Sequence, residues 1–142
     1  MEAGGAGVIV VDTNIIAYFT LKTEYVGLIE RVLSKDSNWI VPYVWRFEFR
    51  NVLVTYLRRR MINLYEAVET FQKADDMLVG RQFDTDSYQV LELAILSGRS
   101  AYDCEFVALA EQHRVPLVTA DVPLQKSFPK IALSIEDFLK YK

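Results

Sequence analysis

A single cysteine, Cys104, and a single histidine, His113, are all that the 142 residues hold of those two types, and the scarcity excludes several chemistries at once. One cysteine forms no internal disulfide and no thiolate metal cluster, and a reducing, cytosolic setting is the simplest fit. One histidine leaves no histidine-rich zinc site and no catalytic pair of histidines within a chain. His113 closes a helical stretch, where a partly charged imidazole suits the helix dipole, and is read as structural. Apolar runs are short as well, none reaching the roughly 18 residues that a membrane helix needs. The opening Met1-Glu2-Ala3-Gly4-Gly5-Ala6-Gly7 has neither the basic segment nor the long apolar stretch of a signal peptide, so residues 1–7 are read as a flexible leader. Positive charge is in deficit: 16 Lys and Arg stand against 19 Asp and Glu, a net charge of −3, without the basic footprint typical of nucleic-acid binding. Clustered carboxylates would themselves lower that sum, and what governs binding is where the positive residues sit.

What is present reads as one domain over residues 1–142, with enough apolar sequence for a core that needs no staples. Val8 to Val11 is a β-branched run ending at Asp12, and Thr13-Asn14 opens a helical pattern at Ile15, Ile16, Tyr18 and Phe19. An amphipathic helix from Tyr25 to Leu33 and a brief strand at Trp39-Ile40-Val41 follow. Tyr43 to Arg60 has no Gly or Pro and predicts a long, largely buried helix; Leu64 to Leu78 predicts its partner, with Leu64, Val68, Phe71 and Leu78 on one stripe. Further helices are expected over Asp86 to Leu96, closed by Gly98, and over Tyr102 to Gln112. Val115 to Thr119 and Lys130 to Leu133 read as strands, and Ile135 to Tyr141 as a last helix capped by Ser134. Strands separated by helices imply parallel pairing through right-handed crossovers, hence a three-layer α/β/α sandwich around a mainly parallel sheet. Ligand sites in such folds gather at the carboxyl ends of the strands.

Four acids stand out, two of them where that edge would be. Asp12 ends the first strand and Asp121 follows the strand running to Thr119; each would also serve as a helix N-cap. Glu48 has Val44, Trp45, Asn51 and Val52 one turn away, a mainly apolar setting in which an unpaired carboxylate is costly. Arg46 and Arg50 could pair with it, but a separation of two positions aims them at other faces of the helix. Asp103 opens a helix, where the dipole favours a negative group, whereas Glu105 points to the far side and is read as solvated, as are Asp75 and Asp76.

Taken together, Val10-Val11-Asp12-Thr13-Asn14, Glu48 with Asn51-Val52-Leu53, Tyr102-Asp103 with Ala108-Leu109-Ala110, and Leu117-Val118-Thr119-Ala120-Asp121 resemble the successive motifs of PIN domains, over Val8 to about Phe128. The sequence is most similar to the small toxins of VapBC-type toxin–antitoxin pairs. That resemblance implies a PIN-like fold and a metal-dependent endoribonuclease. Asp12, Glu48, Asp103 and Asp121 would coordinate magnesium or manganese, with Asn14 and Thr119 as polar supports and Asn51 beside Glu48 in its motif. It also implies an antitoxin partner and a homodimer, for which the apolar Tyr43 to Leu78 hairpin would supply an interface. Two departures are visible: Cys104 stands where a small alanine is common, and Val122-Pro123-Leu124 carries no further acid after the last motif.

The implied chemistry suits the residues. Two carboxylates 4 Å apart repel by about 4 kcal/mol at an effective dielectric near 20, so a cluster of four calls for protons or cations. Hard oxygen ligands select magnesium or manganese, which activate water for phosphodiester hydrolysis without a histidine. Arg46, Arg50 and Arg99, with Arg58-Arg59-Arg60, could track a phosphate backbone, although a terminal arginine run also reads as a solvated helix end. Two readings from other classes stay open: a phosphoacceptor signalling domain built on Asp12, and a PIN-like module that binds RNA or protein without cutting.

Overall fold

The computed structural model describes residues 7–140, so most of the leader reading for residues 1–7 falls outside the described part. Five strands, β1 (Ile9–Val11), β2 (Trp39–Pro42), β3 (Gln82–Phe83), β4 (Leu117–Val118) and β5 (Ala132–Leu133), form one sheet in the order β3-β2-β1-β4-β5. All four pairings are parallel, with Val10 opposite both Ile40 and Leu117. β1, β2 and β4 are buried along their whole length, which is why Ile9-Val10-Val11, Trp39-Ile40-Val41 and Leu117-Val118 are apolar without alternation: helices cover both faces.

Eight helices connect and flank the strands: α1 (Thr13–Thr20), α2 (Val26–Lys35), α3 (Trp45–Arg58), α4 (Leu64–Met77), α5 (Ser87–Ser97), α6 (Ala101–His113), α7 (Val122–Ser127) and α8 (Ile135–Lys140). α6 lies across β1, β2 and β4 with α5 on its outer side, while α1 packs with α2, α3 and α4, and α8 with α2 and β5. The result is the three-layer α/β/α sandwich expected. Capping explains most of the boundaries. Asn63 and Glu66 form a reciprocal capping box on α4, Asp86 caps α5, Ser100 caps α6, and Gly98 ends α5 in the left-handed region at φ 75°.

The structure corrects several expectations. α3 is not largely buried: only Trp45, Phe49 and Leu53, at i, i+4 and i+8, face the core, while Phe47 is 64% exposed. On α4 the inner stripe is Ala67 and Ala74 rather than Leu64 and Val68, which are 70% and 62% exposed. The small alanines leave room for Phe71 to stack on Trp45 at 5.7 Å and on Phe49 at 6.1 Å, so aromatic volume from α3 fills what aliphatic volume from α4 would have filled. β3 and α7 were not anticipated. β3 is a two-residue edge strand that begins with a glutamine and follows Gly80 at φ 75°, and α7 is a six-residue helix whose Pro123 stands in its first turn, where the missing N–H is harmless. Asp75 is not solvated but paired with Arg46, whereas Asp76 is exposed and accepts from Gln72 at 2.8 Å.

Candidate active site

The strand order reverses between β1 and β4, the place where open parallel sheets keep their ligands. Asp12 directly follows β1, and Asp121 follows β4. Glu48 stands in the first turn of α3, the helix that leaves the carboxyl end of β2. Asp103 stands in the first turn of α6, which leads into parallel strand β4 and so presents its N-terminus to the same edge. The fold therefore carries all four sequence-predicted acids to one rim of the sheet.

Hydrogen bonds hold that rim. The hydroxyl of Thr119, fully buried, donates to Asp12 Oδ2 at 2.7 Å and accepts the Asp121 N–H at 3.0 Å. Asn14 Oδ1 accepts the Ala120 N–H at 3.1 Å, while its Nδ2 donates at 3.4 Å to both Asp12 Oδ2 and Thr119 Oγ1. Asn14 and Thr119 thus tie the segment after β1 to the segment after β4. Thr13, which the sequence reading passed over, makes the other tie: its N–H caps onto Asp12 Oδ1 at 2.7 Å and its hydroxyl donates to Glu48 Oε1 at 2.8 Å. Its signal was adjacency to Asp12 with a hydroxyl to spare. Asp103 Oδ2 accepts from Arg99 Nη2 at 3.2 Å, and Asp121 Oδ1 accepts the Leu124 N–H at 3.0 Å. Asp12 and Asp121 are therefore helix N-caps as well as members of the rim.

Burial and neighbouring charge raise two of the four acids. Asp12 is 8% exposed, and burial pushes its carboxyl up to about 6 against the opposing pull of Thr119 and Thr13; the charges of Asp103 and Asp121 push it further. Burial likewise raises Glu48 to about 7, offset by the Thr13 hydroxyl and reinforced by Asp12, Asp103 and Glu105. Glu105 is therefore part of the acidic field and not a solvated bystander. It accepts from the Thr85 hydroxyl at 2.6 Å, beside a cavity of about 240 Å³ that both residues line with Asp84 and Ser87. Glu105 does lie on another side of α6 from Asp103, but the segment after β3 supplies a partner there.

The donor set is all hard oxygen, as a magnesium- or manganese-type ion requires. Glu48 Oε2, Asp103 Oδ1 and Asp121 Oδ2 accept no hydrogen bond among the described residues, and a carboxylate has lone pairs beyond those Asp12 already uses. The fit is one of chemistry and charge. Among the described residues no three acidic, histidine or cysteine side chains stand close enough together to form a ready cage, and Asp12, Glu48, Asp103 and Asp121 each have an oxygen bonded to Thr119, Thr13, Arg99 or Leu124.

The remaining candidates separate. Arg46 pairs with Asp75 and lies over Phe71 at 5.2 Å, and Arg50 lies over Phe71 at 4.9 Å, so both serve the α3–α4 packing. Asn51 is exposed one turn beyond Glu48. Arg58 to Arg60 are exposed at the far end of α3, about 15 Å along the helix from Glu48. Only Arg99 touches an acid of the rim. His113 meets the Leu109 carbonyl at 3.2 Å and the edge of Phe83 at 5.2 Å, a structural role.

A parallel sheet whose switch point gathers coupled carboxylates defines an α/β protein built to concentrate negative charge at one edge. Residues 9–127 match the PIN domain, and the chain belongs to the PIN-domain family. Among solved structures it resembles PAE2754 from Pyrobaculum aerophilum, with a TM-score of 0.74 and 18% identity over 95% of this chain and 88% of that one. It also resembles a toxin–antitoxin complex from Klebsiella pneumoniae, with a TM-score of 0.64 and 16% identity over 89% of this chain and 97% of that one. VapBC2 from Rickettsia felis, bound to a DNA fragment from its promoter, gives a TM-score of 0.60 and 16% identity over 90% of this chain and 98% of that one. At such identities the likeness is one of fold. Comparison with curated protein sequences gives no significant match.

Proposed function

We propose that this chain is a divalent-metal-dependent endoribonuclease and the toxin of a toxin–antitoxin pair, acting in the cytoplasm as a homodimer that a cognate antitoxin restrains. The observation that carries the catalytic part is that Asp12, Glu48, Asp103 and Asp121 fall on one rim at the switch point of a PIN fold, with Thr13, Asn14 and Thr119 tying its segments together. Two of the solved structures of similar fold are toxin–antitoxin assemblies, which supports the biological role.

Asp12, Glu48, Asp103 and Asp121 would hold magnesium or manganese. Once bound, such an ion supplies an acidified water and a counter-charge for the leaving oxygen of a phosphodiester. The chain supplies placement. Thr13 N–H and the Thr119 hydroxyl fix both oxygens of Asp12, and Asn14 keeps the two central loops in register. Burial raises the Glu48 carboxyl to about 7, so near neutrality it would hold a proton far more readily than a free glutamate, and a bound cation would favour its ionised form.

The test is incubation of structured and unstructured RNAs with manganese, comparing wild type with Asp12→Asn. Cleavage by wild type alone, stopped by chelation, is expected. Equal cutting by the variant, or in chelator, would refute the assignment, and RNA bound but uncut in manganese would mark a binding module instead.

A further inference from the structure

Arg99 stands in the joint between two helices. It follows Gly98, the C-cap of α5, whose dipole favours a cation, and precedes Ser100, the N-cap of α6, whose dipole opposes one. Its backbone has little freedom: Gly98 closes α5 in the left-handed region, and the Arg99 N–H donates to Ser97 Oγ at 3.0 Å. From that fixed point the side chain reaches Asp103 Oδ2 with Nη2 at 3.2 Å, while Nε is buried with no hydrogen-bond partner among the described residues. Helix capping does not require this arrangement, because Ser100 already accepts the Asp103 N–H at 3.0 Å. An orphaned buried donor is costly and calls for an explanation. Charge supplies half of it: Asp103 adds to the negative field at both Asp12 and Glu48, and Arg99 is the cation paired with Asp103. The unspent Nε supplies the other half, since the side chain is 30% exposed and a guanidinium turned off Asp103 would carry a free fork suited to a phosphate oxygen.

We propose that Arg99 is the resident counter-ion of the metal-free rim: it competes with a divalent ion for Asp103 and, once released, donates to a backbone phosphate of the bound strand. This rests on the reading that the four acids take such an ion. It makes Arg99 a positioning residue with two opposed effects, hindering the metal and helping the nucleic acid, which a merely structural helix-start ion pair would not combine.

The experiment uses the full chain as wild type, Arg99→Gln and Arg99→Lys. Manganese binding is measured by calorimetry, and binding of a phosphorothioate RNA oligonucleotide by anisotropy in calcium. R99Q is expected to bind manganese about fivefold more tightly than wild type, the size of a partly exposed charge interaction, with R99K near wild type. Oligonucleotide affinity is expected to fall several-fold in R99Q, with a shallower salt dependence. Manganese affinity unchanged or weakened in R99Q, or oligonucleotide affinity unchanged, overturns the proposal. Should R99Q fail to fold, R99K decides: loss of the forked donor must still weaken the oligonucleotide, and equal affinity overturns the proposal. If wild type itself binds no manganese, the reading of the rim fails first, in a measurement that involves no variant, and the role of Arg99 falls with it.

Discussion

Replacing Asp12 with asparagine in the absence of divalent ions should stabilise the protein at pH 8 and not at pH 4.5. Asp12 titrates near 6 in the folded chain against 3.8 for the free side chain. The folded value lies above the unfolded one, so the protonated form favours folding: that contribution is complete below about pH 4 and is lost as pH rises through 6. At pH 8 the lost contribution amounts to about 3 kcal/mol. Asparagine removes the charge and keeps a cap acceptor for the Thr13 N–H, but its amide faces the Thr119 hydroxyl and Asn14 Nδ2, a mismatch worth about 1–2 kcal/mol. The net is a gain of about 1 kcal/mol, or roughly 2–4 °C in Tm. At pH 4.5 the folded carboxyl is protonated but the unfolded one is mostly ionised, so about 1 kcal/mol of the penalty remains; the mismatch offsets it, and the variant should melt level with or slightly below wild type. Thermal melts by circular dichroism in chelator at the two pH values read this directly. Adding millimolar magnesium at pH 8 should then raise the Tm of wild type more than that of the variant. A variant that melts equally far below wild type at both pH values would show that Asp12 is a helix cap whose charge costs nothing, and the electrostatic reasoning would be wrong.

Two further substitutions test the surrounding structure. Thr119→Val keeps the shape of a fully buried side chain but removes the donor to Asp12 and the acceptor for the Asp121 N–H; it should cost about 2–3 kcal/mol in urea unfolding and move the Asp12 titration, followed by carboxyl NMR, upward from about 6. Arg46→Ala breaks the pair with Asp75 and uncovers Phe71, so it should lower stability by about 1 kcal/mol while leaving manganese affinity unchanged by calorimetry; a lost metal response would place Arg46 at the rim after all.

The parts legible in the sequence are those where one residue answers one local rule. β-branched runs at Val8 to Val11 and Val115 to Thr119 announced strands, Gly98 announced the end of α5, and strands alternating with helices announced a parallel sheet. Asp12, Asp103 and Asp121 drew attention by standing at element boundaries, and Glu48 by its apolar neighbours on a helix. What stayed hidden was set by partners distant in the chain. β3 is defined by pairing with Val41 and Pro42 rather than by its own Gln82 and Phe83. The buried stripe of α4 went to alanines because the aromatics of α3 needed the space, which no periodicity within α4 reveals. Glu105 depended on Thr85, and Thr13 on Glu48 35 residues away.

The pairing of β1 with β4 has a temporal consequence. β1 is made well before β4, one of its two neighbours, since Val10 pairs with Leu117. A nascent chain that has reached Ser100 therefore has two carboxylates, Asp12 and Glu48, beside an open flank of the sheet, with Asp103 and Asp121 still untranslated. Long-range parallel contacts of this kind close late. The acidic rim is therefore completed only once β4 and the loop after it have been synthesised.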